Sequence, residues 1–203
     1  MARIAVVLLL ALLAGCVSRP PSNPDNLCGI FREKDGWFDN WYDAADDAES
    51  RWSIPIPVMM ATMHQESRFR AKARPPRRKL LGFIPWRRPS SAYGYAQVLD
   101  TTWDGYRKAT GHRGADRDDF ADAIDFVGWY HDTSARRLGI GRSDAYRLYL
   151  AYHEGQGGYA RGTFQNKKWL IDVAQKVDAR AKTYDGQLAS CRKEFEGPWW
   201  WPF

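Results

Sequence analysis

The chain has 203 residues and a formal charge of +6, a length that suits one domain with its own hydrophobic core. Its three cysteines include no C-x-x-C pair, and no two histidines stand at helical spacing, so the sequence predicts neither a metal site nor a cofactor. The H-E-x-x-H motif of zinc proteases is excluded, because His153-Glu154 is followed by Gly157 rather than by a second histidine.

Residues 1–15 have the pattern of a secretory signal peptide. One basic residue, Arg3, precedes an apolar run at residues 4–13 that is too short to span a bilayer. The following Leu-Ala-Gly-Cys, which ends at Cys16, resembles a bacterial lipobox, and this implies cleavage before Cys16 and acylation of that cysteine. The alternative is an ordinary signal peptide with a chance cysteine.

Lipidation would attach the mature protein to a membrane that it does not span. Val17, rather than an aspartate, follows the cysteine, and in a Gram-negative cell this resembles the signal for the outer membrane. We therefore expect a lipid-anchored protein of the bacterial envelope that faces the periplasm. Residues 16–27 are polar and proline-rich and predict a tether that does not fold itself.

With Cys16 lipidated, only Cys28 and Cys191 remain. In an oxidising, exported compartment we expect these two to pair, which would tie the first turn of the folded domain to its last helix. The alternatives are two free thiols or a metal site.

One stretch, residues 59–69, combines an apolar helical run with a single carboxylate near its end. Pro57 suits the first turn of a helix, where its missing N–H is not needed. Met59, Met63 and Glu66 then follow at i, i+4 and i+7 on one face, so Glu66 is expected to point inward. Burial and the negative end of the helix dipole would both raise its pKa, which favours a role as an acid. The alternative is a glutamate that caps a surface helix.

No stretch shows sustained period-two alternation, so residues 28–195 are predicted to form one mostly helical domain. The last helix has the clearest pattern, because its apolar residues fall on one face and place Cys191 inward. This stripe consists of Leu170, Val173, Ala174, Val177, Ala181, Tyr184, Leu188 and Cys191. Residues 196–203 form a strongly aromatic tail beyond it.

Residues 71–91 form a basic insertion with four prolines and no acid, compatible with a hairpin. Loops of this length are usually functional or disordered. Three interpretations remain open: a solvated basic loop, a patch that meets anionic lipid or polymer, and a lid beside a substrate cleft. Phe83 and Trp86 offer faces on which sugars could stack. Nucleic acid does not suit an exported lipoprotein as a partner.

Three short motifs occur in order along the chain. Glu66-Ser67 ends a predicted helix, Gly-Tyr-Ala-Gln occupies residues 94–97 in a loop, and Ala-Tyr-His-Glu-Gly occupies residues 151–155 where another helix meets glycines. In order and spacing these motifs resemble those of soluble lytic transglycosylases, whose usual forms are Glu-Ser, Gly-Leu-Met-Gln and Ala-Tyr-Asn-Ala-Gly. The resemblance covers roughly residues 54–159, and the ordered set is more specific than any one motif.

The resemblance implies a lysozyme-like helical domain with a groove for the glycan strands of peptidoglycan. Enzymes of this family are lyases that cleave between N-acetylmuramic acid and N-acetylglucosamine and leave a 1,6-anhydromuramyl end without adding water. Most hydrolytic glycosidases need two carboxylates. Here Glu66 alone would first protonate the glycosidic oxygen and then take the proton of the muramyl 6-hydroxyl.

By the same resemblance, several residues would bind or orient the substrate. Ser67 would hold the acetamido group or terminate the helix, and Gln97 would line the groove. Tyr152 would hold Glu66 by its hydroxyl or lie in the core. Gly94 would let the backbone approach the sugar or serve only a turn. The full set of predicted substrate-facing residues is Ser67, Gly94, Tyr95, Gln97, Tyr152 and His153.

The sequence departs from the family pattern at both later motifs. Tyr95-Ala96 replaces Leu-Met at packing positions, which should change the groove's shape more than its chemistry. His153 replaces an asparagine, whose hydrogen bonds it could make, and Glu154 replaces a small residue. Glu154 could pair with a loop arginine, or it could be a second acid that activates water, as in a hydrolytic muramidase of the goose-lysozyme kind. A further alternative is a peptidoglycan-binding envelope lipoprotein with weak or lost activity.

Overall fold

A computed structural model describes most of the chain, in the ranges 19–36, 40–77, 79–80, 84–85 and 88–197, with the strand residues 79–80 and 84–85 described by backbone alone. The predicted signal peptide, the predicted lipidation site Cys16, Phe83, Trp86 and most of the aromatic tail lie outside the described residues. Among the helices that are described, none has both the length and the apolar character to cross a membrane.

The described chain is mostly helical, as the sequence predicted. It contains seven helices and one short hairpin across the described ranges. The helices are α1 (Leu27–Glu33), α2 (Trp41–Trp52), α3 (Ile56–Ser67), α4 (Asp100–Thr110), α5 (Phe120–Leu138), α6 (Ala145–Ala160) and α7 (Lys168–Phe195). The strands are β1 (Lys79–Leu80) and β2 (Ile84–Pro85).

Helix α3 is the centre of the fold. Every residue from 56 to 64 is buried, and the helix packs against α2, α5, α6 and α7. Pro57 lies in its first turn, as its missing N–H requires. A helix that is apolar on all sides must be surrounded by other elements, and α3 meets this condition with four neighbours.

The helices that surround α3 approach one another closely at Gly128 of α5. A Cβ atom at this position would lie 2.7 Å from Cδ1 of Trp52 and 3.1 Å from Sδ of Met59. Both contacts are shorter than real Cβ atoms tolerate without movement of the neighbour. Glycine is therefore what lets α5 pack against α2 and α3 at this distance.

The chain leaves α3 through two consecutive left-handed residues. Arg68 (φ 52°) and Phe69 (φ 58°) both have positive φ, and the N–H of Arg68 donates to the carbonyl oxygen of His64 at 2.9 Å. Non-glycine residues adopt this conformation at a cost. Here Phe69 is fully buried, with its ring 5.9 Å from that of Trp41, so core packing offsets the cost.

The described part of the predicted tether differs from the expectation of an unfolded linker. Pro21 is buried, the hydroxyl of Ser22 donates to Glu33 at 2.8 Å, and the hydroxyl of Tyr184 donates to the carbonyl oxygen of Pro24. Residues 19–26 are therefore part of the folded domain. Proline fixes φ and so reduces the entropy lost when such a segment docks, which explains why a proline-rich stretch can pack here.

The cysteine pairing predicted from the sequence is confirmed. Cys28 of α1 and Cys191 of α7 form a disulfide that links residues 163 positions apart. Hydrogen bonds accompany the bond, since the N–H of Leu27 donates to Gln187 at 2.7 Å and Arg32 pairs with Glu194. The start and the end of the domain are thus held together.

The basic insertion contains a hairpin, the structure with which its sequence was compatible. Strands β1 and β2 pair antiparallel, with Lys79 opposite Pro85 and Leu80 opposite Ile84. Phe83 and Trp86 lie outside the described residues, so their proposed contact with sugars stays a prediction.

We expect the disulfide to contribute about 5 kcal/mol to the free energy of unfolding, because it closes a very long loop in the unfolded chain. Denaturant unfolding should show this loss in a variant with both Cys28→Ser and Cys191→Ser. A reductant should lower the stability of the unmodified domain to the same level and leave the double variant unchanged. If the two proteins unfold at the same midpoint without reductant, the expectation is wrong.

Candidate active site

The last turn of α3 opens into a cavity of about 470 Å³. Glu66 lines it, together with residues from the loop before α4, from α5 and from α6. The other lining residues are Ala92, Gln97, Val98, Leu99, Thr102, Phe126, Tyr130, Tyr152, His153, Glu154 and Gly155. The cavity thus brings together members of all three sequence motifs, which lie far apart along the chain.

Glu66 is partly exposed to this cavity and otherwise surrounded by protein. Burial raises the pKa of Glu66 to about 7, from an ordinary value of 4.5, and a hydrogen bond with Tyr149 opposes part of this rise. No ion pair to Glu66 is found among the described side chains, so no cation lowers the pKa again. The predicted inward direction and raised pKa of Glu66 are confirmed.

The hydroxyl that contacts Glu66 belongs to Tyr149 and not to Tyr152. The predicted role of Tyr152 is wrong, because its hydroxyl donates to the carbonyl oxygen of Ala96 at 2.7 Å. Tyr149 precedes Tyr152 by three residues on α6, so both rings lie on one face of the helix. Sequence reasoning assigned the contact to the wrong member of this pair. Tyr152 still lines the cavity and fixes the loop at Ala96.

Position 94 must be glycine because of its own dihedral angles and because the backbone of Arg117 lies against it. Its φ is +80°, and a Cβ atom there would lie 2.0 Å from the carbonyl oxygen of Arg117. Its N–H donates to the carbonyl oxygen of Ala73 at 3.1 Å. The close approach predicted at this glycine therefore exists, but it is to the Arg117 backbone, and Gly94 does not line the cavity.

Tyr95 lies in the hydrophobic core, with 1% of its surface exposed. Its ring meets Trp41 edge-on at 5.6 Å and Phe120 edge-on at 5.8 Å. This agrees with a packing position, whereas the prediction that Tyr95 faces the substrate is wrong. Its effect on the cavity is indirect, because it anchors the loop that carries Gln97.

Gln97 lines the cavity and also clamps the loop. Its side-chain amide donates to the carbonyl oxygens of Ala73 at 2.9 Å and Gly94 at 2.8 Å, while its own φ is 49°. The two bonds hold the ends of the basic insertion together. The residue thus stands where the sequence predicted it, at the cavity wall.

Ser67 does not line the cavity. Only 1% of its surface is exposed, and its hydroxyl lies 3.4 Å from the carbonyl oxygen of Met63 in the preceding turn. This arrangement matches the alternative interpretation, in which Ser67 ends the helix. A direct contact with a substrate would need the side chain to leave this position.

Glu154 lines the cavity but is fully engaged by other side chains. Both carboxylate oxygens accept from Lys167, at 2.7 and 2.8 Å, and further bonds join Glu154 to Thr163 and His153. These bonds, with that from Lys167 the strongest, lower the pKa of Glu154 to about 2. The predicted salt bridge exists, although its partner is a lysine rather than an arginine.

Helix α6 is interrupted at the glycines, where the sequence predicted a helix end, and a second helical segment follows. At Gly155 the backbone has φ 72° and ψ 154°, a combination that is essentially restricted to glycine, and the helix kinks there before running on to Ala160. His153 is exposed at the cavity just before the kink, as predicted for a substrate-facing residue.

One wall of the cavity is aromatic and was missed by sequence reasoning. Phe126 and Tyr130 of α5 lie against Tyr152, with ring centroids 6.4 and 5.2 Å from it. A tyrosine within an otherwise apolar stripe was the available signal, since its hydroxyl needs a polar or wet neighbour.

The site therefore contains two carboxyl groups with opposite properties. Glu66 has a pKa of about 7 and no charged partner among the described side chains, whereas Glu154 is ionised and paired with Lys167. Such a site can donate a proton from Glu66 at neutral pH and take it back. Within the described ranges no group of three or more His, Cys, Asp or Glu side chains could hold a metal ion.

A family model described as the transglycosylase SLT domain matches residues 4–191, most of the chain. No curated protein matches the sequence.

Replacing Glu66 by Gln should make the domain more stable at alkaline pH than the unmodified chain. Because the folded state holds the proton up to about pH 7 while the unfolded carboxyl loses it near pH 4.5, the unmodified protein loses stability across this window. The gain of the variant should grow by up to about 3 kcal/mol between pH 4.5 and pH 8 in denaturant unfolding. The matched control is Glu196→Gln, on an exposed side chain at the end of α7. A constant gap at all pH values would contradict the prediction.

Replacing Tyr149 by Phe should raise the pKa of Glu66 further, by roughly one unit, because the lost hydroxyl stabilises the charged carboxylate. An NMR titration of the Glu66 carboxyl carbon measures the shift. Tyr152→Phe is the control, since the Tyr152 hydroxyl donates to Ala96 and its removal should leave the Glu66 titration in place. Equal shifts in both variants would show that Tyr149 has no special contact.

Proposed function

The chain belongs to the transglycosylase SLT domain family, and from this membership we propose that it is a lytic transglycosylase that cleaves peptidoglycan glycan strands. The cut falls between N-acetylmuramic acid and N-acetylglucosamine and leaves a 1,6-anhydromuramyl end. The observation that carries this proposal is the single near-neutral carboxyl group of Glu66 at the cavity wall.

The first step is proton donation. With its pKa near 7, a large fraction of Glu66 is protonated at neutral pH, so the carboxyl group can protonate the glycosidic oxygen as the bond to the muramyl anomeric carbon breaks. The substrate's own acetamido group stabilises the positive charge that develops on this carbon. The Tyr149 hydroxyl stabilises the carboxylate that Glu66 becomes.

The second step returns the proton. The Glu66 carboxylate takes the proton of the muramyl 6-hydroxyl, and the freed oxygen bonds to the anomeric carbon to close the anhydro ring. Glu66 ends protonated, as it began, and no water is consumed. The same burial that raises the pKa makes the carboxylate a competent base for this step.

The state of Glu154 argues against the hydrolytic alternative. A second carboxylate that activates water should have a pKa near the working pH and a free oxygen. Glu154 has a pKa of about 2, and only 4% of its side chain is exposed, because Lys167, Thr163 and His153 take its oxygens. This supports a single-carboxylate mechanism with the 6-hydroxyl as the nucleophile.

A protein that only binds glycan would have no need of Glu66 as it stands. Desolvating a carboxyl group costs free energy of folding, and here a hydrogen bond with Tyr149, but no charged partner among the described side chains, offsets that cost. Groups that retain such a cost are typical of functional sites. The retained acid favours catalysis over binding alone.

We further propose that the enzyme is attached to the membrane through acylated Cys16. Cys16 is joined by three Cα–Cα steps to Arg19, at which the described chain begins, and the carbonyl oxygen of Arg19 accepts from Lys34 at 2.7 Å. Three extended residues span about 10 Å. The docked segment would therefore hold the domain close to the membrane surface.

Glu66→Gln should abolish release of anhydromuropeptides from purified sacculi, with a loss of at least 10²- to 10⁴-fold, because the general acid is removed while the shape is kept. Mass spectrometry of the products measures both yield and end group. Glu196→Gln, at an exposed position outside the cavity, should retain full activity.

Hydrated reducing ends in place of anhydro ends would overturn the transglycosylase mechanism and favour the muramidase. A folded protein that binds sacculi yet releases no product would favour the binding role.

A further inference from the structure

The cavity rim at His153 carries an exposed tryptophan that none of the three motifs includes. Trp169 lies in the first turn of α7 with 55% of its surface exposed, and its ring meets the His153 imidazole edge-on at a centroid distance of 5.1 Å. In the part of the chain that the structure describes, the other exposed large hydrophobic residue is Leu99, which lines the cavity. Both therefore lie at the cavity rim.

The exposed ring is held by a rigid support. Leu170, the next residue, is fully buried and anchors the first turn of α7 in the core. Lys167, which precedes that turn, is held by Glu154, and the same carboxylate accepts from Thr163. Through these two bonds Glu154 fixes the connection between α6 and α7. This gives the departure from the usual family motif at His153-Glu154 a structural purpose.

An exposed indole on an anchored helical turn favours a binding role. An exposed apolar surface is unfavourable in water, and burying it against a ligand recovers this free energy. Because Leu170 and Lys167 anchor the backbone on either side of Trp169, little backbone entropy is lost when the ring binds. The apolar C–H face of a pyranose ring is a suitable partner, and the imidazole edge beside it offers a polar group to a hydroxyl or acetamido substituent.

The charge around the ring also limits the ligand. The two basic residues that directly precede it are both paired, Lys167 with Glu154 at 2.7 Å and Lys168 with Asp172 at 3.0 Å. The lysines beside the ring therefore offer no unpaired positive charge to a ligand. The surface suits an uncharged sugar better than a carboxylate or phosphate.

We propose that Trp169, seated against His153, is the stacking platform of a distal sugar subsite that takes a neutral N-acetylhexosamine ring of the glycan strand. The proposal rests on the proposed function, since it assumes that a glycan occupies the cavity at Glu66 and continues past His153. The subsite binds sugars beyond those that react, so it adds affinity for long strands and contributes nothing to short ones.

The test measures binding without chemistry, in the Glu66→Gln variant, by calorimetry. The ligands are the hexamer and the dimer of β-1,4-linked N-acetylglucosamine. Trp169→Ala should weaken hexamer binding roughly tenfold and leave dimer binding unchanged, because stacking of this kind is worth about that factor. Trp169→Phe should restore most of the loss. Lys168→Ala, in the same turn with its side chain 88% exposed, is the matched control and should have no effect.

Equal losses for both ligands, an unchanged hexamer affinity, or no binding of the hexamer to the Glu66→Gln protein would each overturn the subsite. Circular dichroism and thermal unfolding of Trp169→Ala establish that the variant folds. The proposed function is judged separately, by product release from sacculi with the unmodified protein. A length-dependent effect of Trp169 in a protein that releases no anhydro product would support the subsite and overturn the activity.

Discussion

The site depends on the burial of one carboxyl group at the end of a helix that has no solvent-exposed face over most of its length. Helix α3 is enclosed by four other helices, so its last turn can face a cavity only where α6 and the loop before α4 leave room. Glu66 stands in that opening. Desolvation there raises the pKa of Glu66 to about 7, because no cation among the described side chains compensates it. The close packing around α3, including the approach at Gly128, is what maintains this environment.

The two glutamates of the cavity show that environment decides the chemistry of a residue type. Burial dominates at Glu66, whereas bonds with Lys167 and Thr163 dominate at Glu154. The pKa values consequently separate by several units although both groups line the same cavity. Pairs separated in this way usually mark distinct roles. Here one group is free to exchange a proton, and the other holds the connection between α6 and α7 in place.

The sequence predicted the helical class, the inward direction of Glu66 and the Cys28–Cys191 bond, because each follows from a local pattern or a simple count. The partners across the site were harder to predict. Whether Tyr149 or Tyr152 reaches Glu66 depends on how α6 is rotated and shifted against α3, and a difference of one turn exchanges the two roles. Likewise, Gly94 was recognised as a close approach, but the partner, Arg117, is contributed by a distant loop. These are tertiary relations that the spacing of one motif does not contain.

The kink at Gly155 explains how one helix can serve two separate purposes. Before it, Tyr149 contacts Glu66 and Tyr152 holds Ala96. After it, Gln156 turns to α5, where it accepts from Arg137 at 3.0 Å and donates to Ser134 at 3.3 Å. Ordinary helical dihedrals at this position would keep the helix on one axis, and a side chain at φ 72°, ψ 154° would be strained. Glycine at 155 therefore lets one helix contact Glu66 of α3 before the kink and Ser134 and Arg137 of α5 after it.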